Sequence, residues 1–166
     1  PPTTRPITAH AYNRRRAETR CGVVSLMSGE SLVHQVGRGA TLAMAAGLEA
    51  HLYESNGKKA AFLREAARQT GTRAVVHNVR LESLVGRQDV PRVDCVVARA
   101  LAPLPLLLEY AQPFLSQGAV GLFHKGQDVD VELTEATKYW KMTFIKHASQ
   151  YDSRGVILEI NEATRV

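Results

Sequence analysis

Two short apolar runs decide which architectures are open to this sequence. Val93–Ala98 (VDCVVA) is almost unbroken in hydrophobicity and rich in β-branched residues, and Gly118–Phe123 (GAVGLF) repeats the pattern. A strand with one wet face alternates polar and apolar positions. A strand that is apolar throughout is covered on both faces, as in a parallel sheet with helices on either side. The residues between the two runs agree with this. Leu104–Leu115 is apolar over a helical length, and Pro103 and Pro105 fall where a first helical turn tolerates proline.

The alternation extends in both directions. Leu48–Tyr53 (LEAHLY) is strand-like and ends on Glu54-Ser55-Asn56-Gly57, a turn able to cap a helix. Lys58–Thr70 follows, with Ala60, Ala61, Phe62, Leu63, Ala66 and Ala67 expected on one face and Gly71 as the stop. Ala74–His77 is the next short strand. Downstream, Val129–Tyr139 reads as a polar helix. Thr143–His147 and Val156–Ile160 flank the turn Asp152-Ser153-Arg154-Gly155 as an antiparallel pair. The expected fold is α/β, a mostly parallel doubly wound sheet closed by an antiparallel strand pair. Its 166 residues suit one compact domain. Residues 1–31, rich in Pro, Thr, Arg and Ser, show no sustained period and read as an irregular segment, with Val23–Met27 the only apolar piece. Residues 32–166 then form the folded domain.

The net charge of +5 permits nucleic-acid binding through phosphate neutralisation, although the excess is concentrated around Arg14, Arg15, Arg16 and Arg20. No apolar run approaches the roughly 18 residues of a membrane span, and the N-terminus has no apolar leader core. A cytoplasmic protein without a membrane partner is expected. Cys21 and Cys95 have no metal or redox spacing and read as reduced thiols. The six histidines form no ligand pattern, so no metal site is expected.

In an open parallel sheet, ligands bind beyond the carboxyl ends of the strands. Gly37 and Gly39, in Val36-Gly37-Arg38-Gly39-Ala40 ahead of the Ala-rich stretch Thr41–Ala46, would let the backbone approach a nucleotide closely; an ordinary Gly-rich turn would look the same. Glu54 follows at about the spacing of the acid that binds a ribose diol, and it would equally suit a helix N-terminus. Asn78-Val79-Arg80-Leu81-Glu82 is either an adenine-side loop or a solvated turn. Arg99 ends an apolar strand and needs a counter-charge, from a cofactor carboxylate, an RNA phosphate or an internal salt bridge. His124-Lys125-Gly126-Gln127 puts a further cation at the same sheet edge.

These blocks, in this order, resemble the RsmG (GidB) family of 16S ribosomal RNA guanine-N7 methyltransferases over roughly Leu48 to Ile160. The carrying segments are Leu52–Arg64, Val76–Glu82, Ala98–Leu104 and Lys125–Gln127. The resemblance implies a Rossmann-like class I methyltransferase fold and S-adenosylmethionine as cofactor. It implies that Glu54 holds the ribose, that Leu81 and Glu82 lie at the adenine, and that Arg99 lines the cofactor or substrate side. Gly37 and Gly39 stand for the glycine loop. Lys125 is then a candidate RNA contact, with Arg99 and Arg154 beside it. The implied partner is 16S ribosomal RNA or a small-subunit precursor, met by a monomer. No catalytic base is implied.

One block departs from the family pattern. Where the family carries D-x-G-S/T-G-x-G-x-P-G, this chain has the shorter Val36–Leu42, with Gln35 and Val36 in place of the acid and no Pro-Gly. Relative to the family, the N-terminal part reads as degenerate or truncated. The competing readings are an RNA-binding chain that has lost cofactor binding, and a dinucleotide-dependent oxidoreductase. The second lacks a full GxGxxG and any hydride-transfer partner.

Overall fold

The computed structural model describes residues 22–26 as backbone, together with residues 48–99, 101–149 and 154–166. In chain order the elements are β1 (Gly22–Leu26), β2 (Glu49–Tyr53), α1 (Gly57–Thr70), β3 (Ala74–His77), a 3-10 turn (Leu81–Leu84), β4 (Cys95–Arg99), α2 (Leu104–Leu115), β5 (Val120–Lys125), α3 (Val129–Ala136), β6 (Trp140–Ala148) and β7 (Val156–Arg165). The strands form one seven-stranded sheet in the order β3-β2-β1-β4-β5-β7-β6. β1 to β5 are mutually parallel, and β7 and β6 close the sheet antiparallel.

β1 corrects the expectation that residues 1–31 lie outside the sheet. Its backbone runs between β2 and β4, with Leu26 in register with Tyr53 on one side and Ala98 on the other. Five residues are too few for periodicity to register against irregular flanks, but a parallel ladder on both sides supplies the pairing. The suggested helix over Thr41–Ala46 lies outside the described residues.

α1 begins where Asn56 accepts the amides of Lys58 (3.0 Å) and Lys59 (3.1 Å) on its side-chain oxygen. It ends at Gly71, whose φ of 64° is the left-handed cap that glycine adopts without a Cβ penalty. Its buried stripe is narrower than the sequence suggested. Ala60 and Leu63 are buried, Leu63 packing on Ala50 and Leu52 of the sheet, whereas Phe62 is 52% exposed. The cause is geometric, since positions 60, 63 and 67 share a face and 62 falls off it.

The main core lies across the other half of the sheet. α2 buries Leu104, Leu107, Leu108, Ala111 and Phe114 against Val96, Phe123, Leu158 and Ile160. α3 packs on α2 through Leu133 and Ala136. Because α2 is covered by both the sheet and α3, it is apolar nearly all round, as its sequence is. α3 ends at Ala136, short of the expected Tyr139. β6 and β7 extend well beyond Thr143–His147 and Val156–Ile160. Among the described residues no helix is long and apolar enough to cross a membrane.

Candidate functional site

The carboxyl edge of the parallel strands brings together Glu54, Arg99, Lys125 and Arg154 among the predicted residues. Glu54 follows β2 directly and is only 4% exposed. Its backbone N–H donates to the His77 carbonyl at 3.0 Å, continuing the β2–β3 ladder past the last strand residue. Its Oε1 accepts the Asn56 amide at 2.7 Å. Asn78 Nδ2 donates to the carbonyls of Glu54 (2.8 Å) and Ser55 (3.0 Å), tying the turn to the end of β3. A carboxylate held this way loses little freedom when it accepts hydroxyl protons from a diol. Sequence reasoning read Asn78 as part of an adenine-side loop or a solvated turn and missed this clamp. An asparagine just after a strand is a weak signal, and only the register of β2 on β3 brings it to Glu54.

Leu81 and Glu82 part company in the 3-10 turn. Leu81 is buried in the main core. Glu82 is exposed, and its Oε1 accepts the Tyr110 hydroxyl at 3.4 Å. Of the pair, Glu82 is therefore the one that presents its side chain outward.

Beside Glu54, Tyr53 stacks on His77 with ring centroids 4.4 Å apart, and His51 Nδ1 lies 3.0 Å from His77 Nε2. Burial holds His51 below its ordinary value against the opposing pull of Glu49. Burial and the neighbouring His51 lower His77 as well. The Tyr53 phenol is pushed up to about 12, chiefly by burial, with Arg87 pulling it down and Asp89 adding to the rise. Both imidazoles favour the neutral form, in which one donates to the other.

A cleft of about 650 Å³ opens at the carboxyl ends of β4 and β5. Arg99, exposed, stands on one side opposite His124 in register, and Leu101, Ala102 and Pro103 form the wall leading to α2. Gly155, at the start of β7, closes the far side, and the exposed Arg154 precedes it. Lys125 lines the cleft but is turned inward. Its side chain is 8% exposed, and Nζ donates to the Ala102 carbonyl at 2.8 Å and to Glu132 Oε2 at 2.6 Å. The same Glu132 oxygen accepts the Leu104 amide at 2.6 Å, at the N-terminus of α2. Glu132 was not legible as a site residue, because its partner seven residues earlier sits on a strand across a turn. Gly37 and Gly39 lie outside the described residues, on the connection from β1 to β2.

Glu54 follows β2 and Arg99 ends β4, the two neighbours of β1. Two strand spacings of about 4.8 Å separate those strands, so one extended nucleotide-sized ligand spans the gap. The sheet order, the acid after β2 and the cleft beyond β4 and β5 define a Rossmann-like protein of the class I S-adenosylmethionine-dependent methyltransferase fold.

Comparison with known proteins narrows that class. The GidB family, described as rRNA small subunit methyltransferase G, matches residues 36–156. The ribosomal RNA small subunit methyltransferase G of Nitrobacter hamburgensis is 51% identical over 124 residues, 75% of this chain and 47% of that protein. Two solved structures share the fold. An rRNA methylase from Streptococcus thermophilus superposes with a TM-score of 0.54 at 12% identity, covering 86% of this chain and 87% of that one. TrmK of M. capricolum, in complex with the cofactor product S-adenosyl-homocysteine, gives 0.54 at 14% identity, covering 86% and 62%. The chain belongs to the GidB (rRNA small subunit methyltransferase G) family. It spans about half the length of the curated relatives it matches.

Proposed function

We propose that this chain transfers a methyl group from S-adenosylmethionine to N7 of a guanine in 16S ribosomal RNA or a small-subunit precursor, acting as a cytoplasmic monomer. The observation that carries the reading is the buried Glu54 carboxylate at the carboxyl end of β2, held by Asn56 and facing the same sheet edge as the Arg99 cleft. The curated relatives are named as small-subunit rRNA methyltransferases, and TrmK, of the same fold, holds S-adenosyl-homocysteine.

The residues present fit such a cofactor. Glu54 offers a second carboxylate oxygen with no partner among the described residues, suited to a ribose hydroxyl. Glu82 stands beyond β3 on the adenine side, and Arg99 suits a carboxylate or a phosphate. Gly37 and Gly39 belong to the segment that joins β1 to β2. When bound, S-adenosylmethionine supplies an electrophilic methyl group on a sulfonium. Guanine N7 carries a lone pair and no proton, so no residue of the chain has to act as a base. The work left to Glu54 and to the Leu101–Pro103 wall is to hold the two reactants in line and exclude water. N7 lies on the major-groove edge of the base, which A-form RNA hides in a deep, narrow groove. The target is therefore an unpaired or opened guanine, with Arg99 and Arg154 on its backbone.

The test is incorporation of labelled methyl into 16S ribosomal RNA by the purified chain. Label on guanine N7, reduced roughly ten- to hundredfold by Glu54→Ala as for a lost charged hydrogen bond, is the expected result. RNA binding with no label under saturating cofactor would instead identify an RNA-binding chain without transferase activity.

A further inference from the structure

We infer that Lys125 and Glu132 form a positioning pair that sets the wall of the substrate cleft, and that Lys125 is not an RNA phosphate contact. This rests on the methyl-transfer reading above. One carboxylate oxygen, Glu132 Oε2, joins three parts of the molecule: the end of β5 through Lys125 Nζ (2.6 Å), the start of α2 through the Leu104 amide (2.6 Å), and α3, which carries it. Lys125 adds a fourth tie, to the Ala102 carbonyl at 2.8 Å. Both ends of the segment running from Ala102 to Leu104 are thus fastened to one ion pair, and Ala102 and Pro103 of that segment line the cleft next to Arg99.

The chemistry argues against a phosphate at Lys125. Its side chain is 8% exposed, and its charge is already matched by Glu132 at 2.6 Å. Recruiting it to RNA would strip Glu132 of its cation and leave a largely covered carboxylate uncompensated, a costly exchange. Arg99 is exposed at the mouth of the same cleft, so recruiting it to a phosphate does not uncover a buried carboxylate among the described residues. The pair therefore contributes to where a base rests, and Arg99 to how strongly the RNA is held.

A phosphate contact and a positioning pair give different salt dependences. Each phosphate neutralised on single-stranded RNA contributes about 0.7 to the slope of log affinity against log salt. RNA binding would be measured against salt for the wild-type chain, Arg99→Ala and Lys125→Met, using 16S ribosomal RNA. The slope is expected to fall by about 0.7 for Arg99→Ala and to stay at the wild-type value for Lys125→Met. In methyl transfer, Lys125→Met and Glu132→Ala should lower kcat by roughly ten- to hundredfold, as misplacement of a reacting group does, with KM for RNA and the dissociation constant for S-adenosylmethionine within about twofold. Glu132→Gln keeps an acceptor for the Leu104 amide and should recover much of the loss. Amide exchange at Leu104, slow in the wild-type chain and fast in Glu132→Ala, reports the tie itself whether or not RNA binds. A slope change for Lys125→Met equal to that of Arg99→Ala overturns the inference, as does unchanged kcat in both variants. A wild-type chain that keeps the slow Leu104 exchange yet neither binds nor methylates RNA overturns the functional reading and the positioning role with it.

Discussion

At Gly121 the sheet leaves no space for a methyl group. A Cβ there would meet Cζ of Phe123 at 2.8 Å, and Phe123 is fully buried among the core side chains under α2. Gly121→Ala should therefore cost about 1–3 kcal/mol as an overpacking substitution, read as a lower denaturation midpoint with unchanged denaturant sensitivity. No effect on the midpoint would mean that the Phe123 ring has room to move. The His51–His77 pair makes a second prediction at this scale. Both imidazoles are held below their ordinary 6.5, so the unfolded chain binds more protons than the folded one in the window just below that value. Stability is full above about pH 6.5 and declines as pH falls through that window. His77→Phe, which keeps a ring on Tyr53, should flatten the decline; an equally steep decline in that variant would assign the pH dependence elsewhere. The placement of Glu54 and Arg99 at the carboxyl ends of their strands was legible because each is a charged residue closing an apolar run. Lys125 was legible as a cation, but its ion pair with Glu132 was not, since that partner comes from the way α3 packs, which no local spacing encodes.

Helices with chemical punctuation declared their own limits. Asn56, Gly71, Pro103 and Pro105 each satisfy or forbid a particular backbone bond, and the bounds of α1 and α2 follow them closely. Asn56 has two tasks, capping α1 through its side chain and donating its own amide to Glu54. Asn56→Ala should cost about 1 kcal/mol of stability through the lost cap, measured by denaturation, while leaving the backbone bond to Glu54 in place. A loss of cofactor affinity exceeding that of stability would show that the cap also aims the carboxylate. β6 and β7 were under-read for a different reason. Lys141, Glu159, Glu162 and Thr164 are unremarkable as strand residues, and the long hairpin is defined by the pairing of Trp140 with Arg165 through Ala148 with Val156. β1 was under-read for the same cause, because its identity comes from ladders on both sides.

For the whole molecule, the sheet order brings residues distant in sequence to one edge. Glu54 from β2, Asn78 from β3, Arg99 from β4 and the Lys125–Glu132 pair from β5 and α3 meet there because every parallel strand delivers its carboxyl end to the same side. Sequence patterning was enough to predict a mostly parallel sheet with its strand ends at one edge, since unbroken apolar strands alternating with helices admit few alternatives, but not the place of β1 in it. The segment joining β1 to β2 was where the pattern departed from the family, with Val36 standing where an acid is the rule. Cofactor binding by this chain is consequently the claim on which the functional account depends. The direct measurement is calorimetric titration of the full chain with S-adenosylmethionine, beside Glu54→Ala verified as folded. The account predicts saturable one-site binding by the wild-type chain, weakened roughly ten- to hundredfold by the substitution. A folded wild-type chain that releases no heat of binding, or a Glu54→Ala variant that binds equally well, would contradict it.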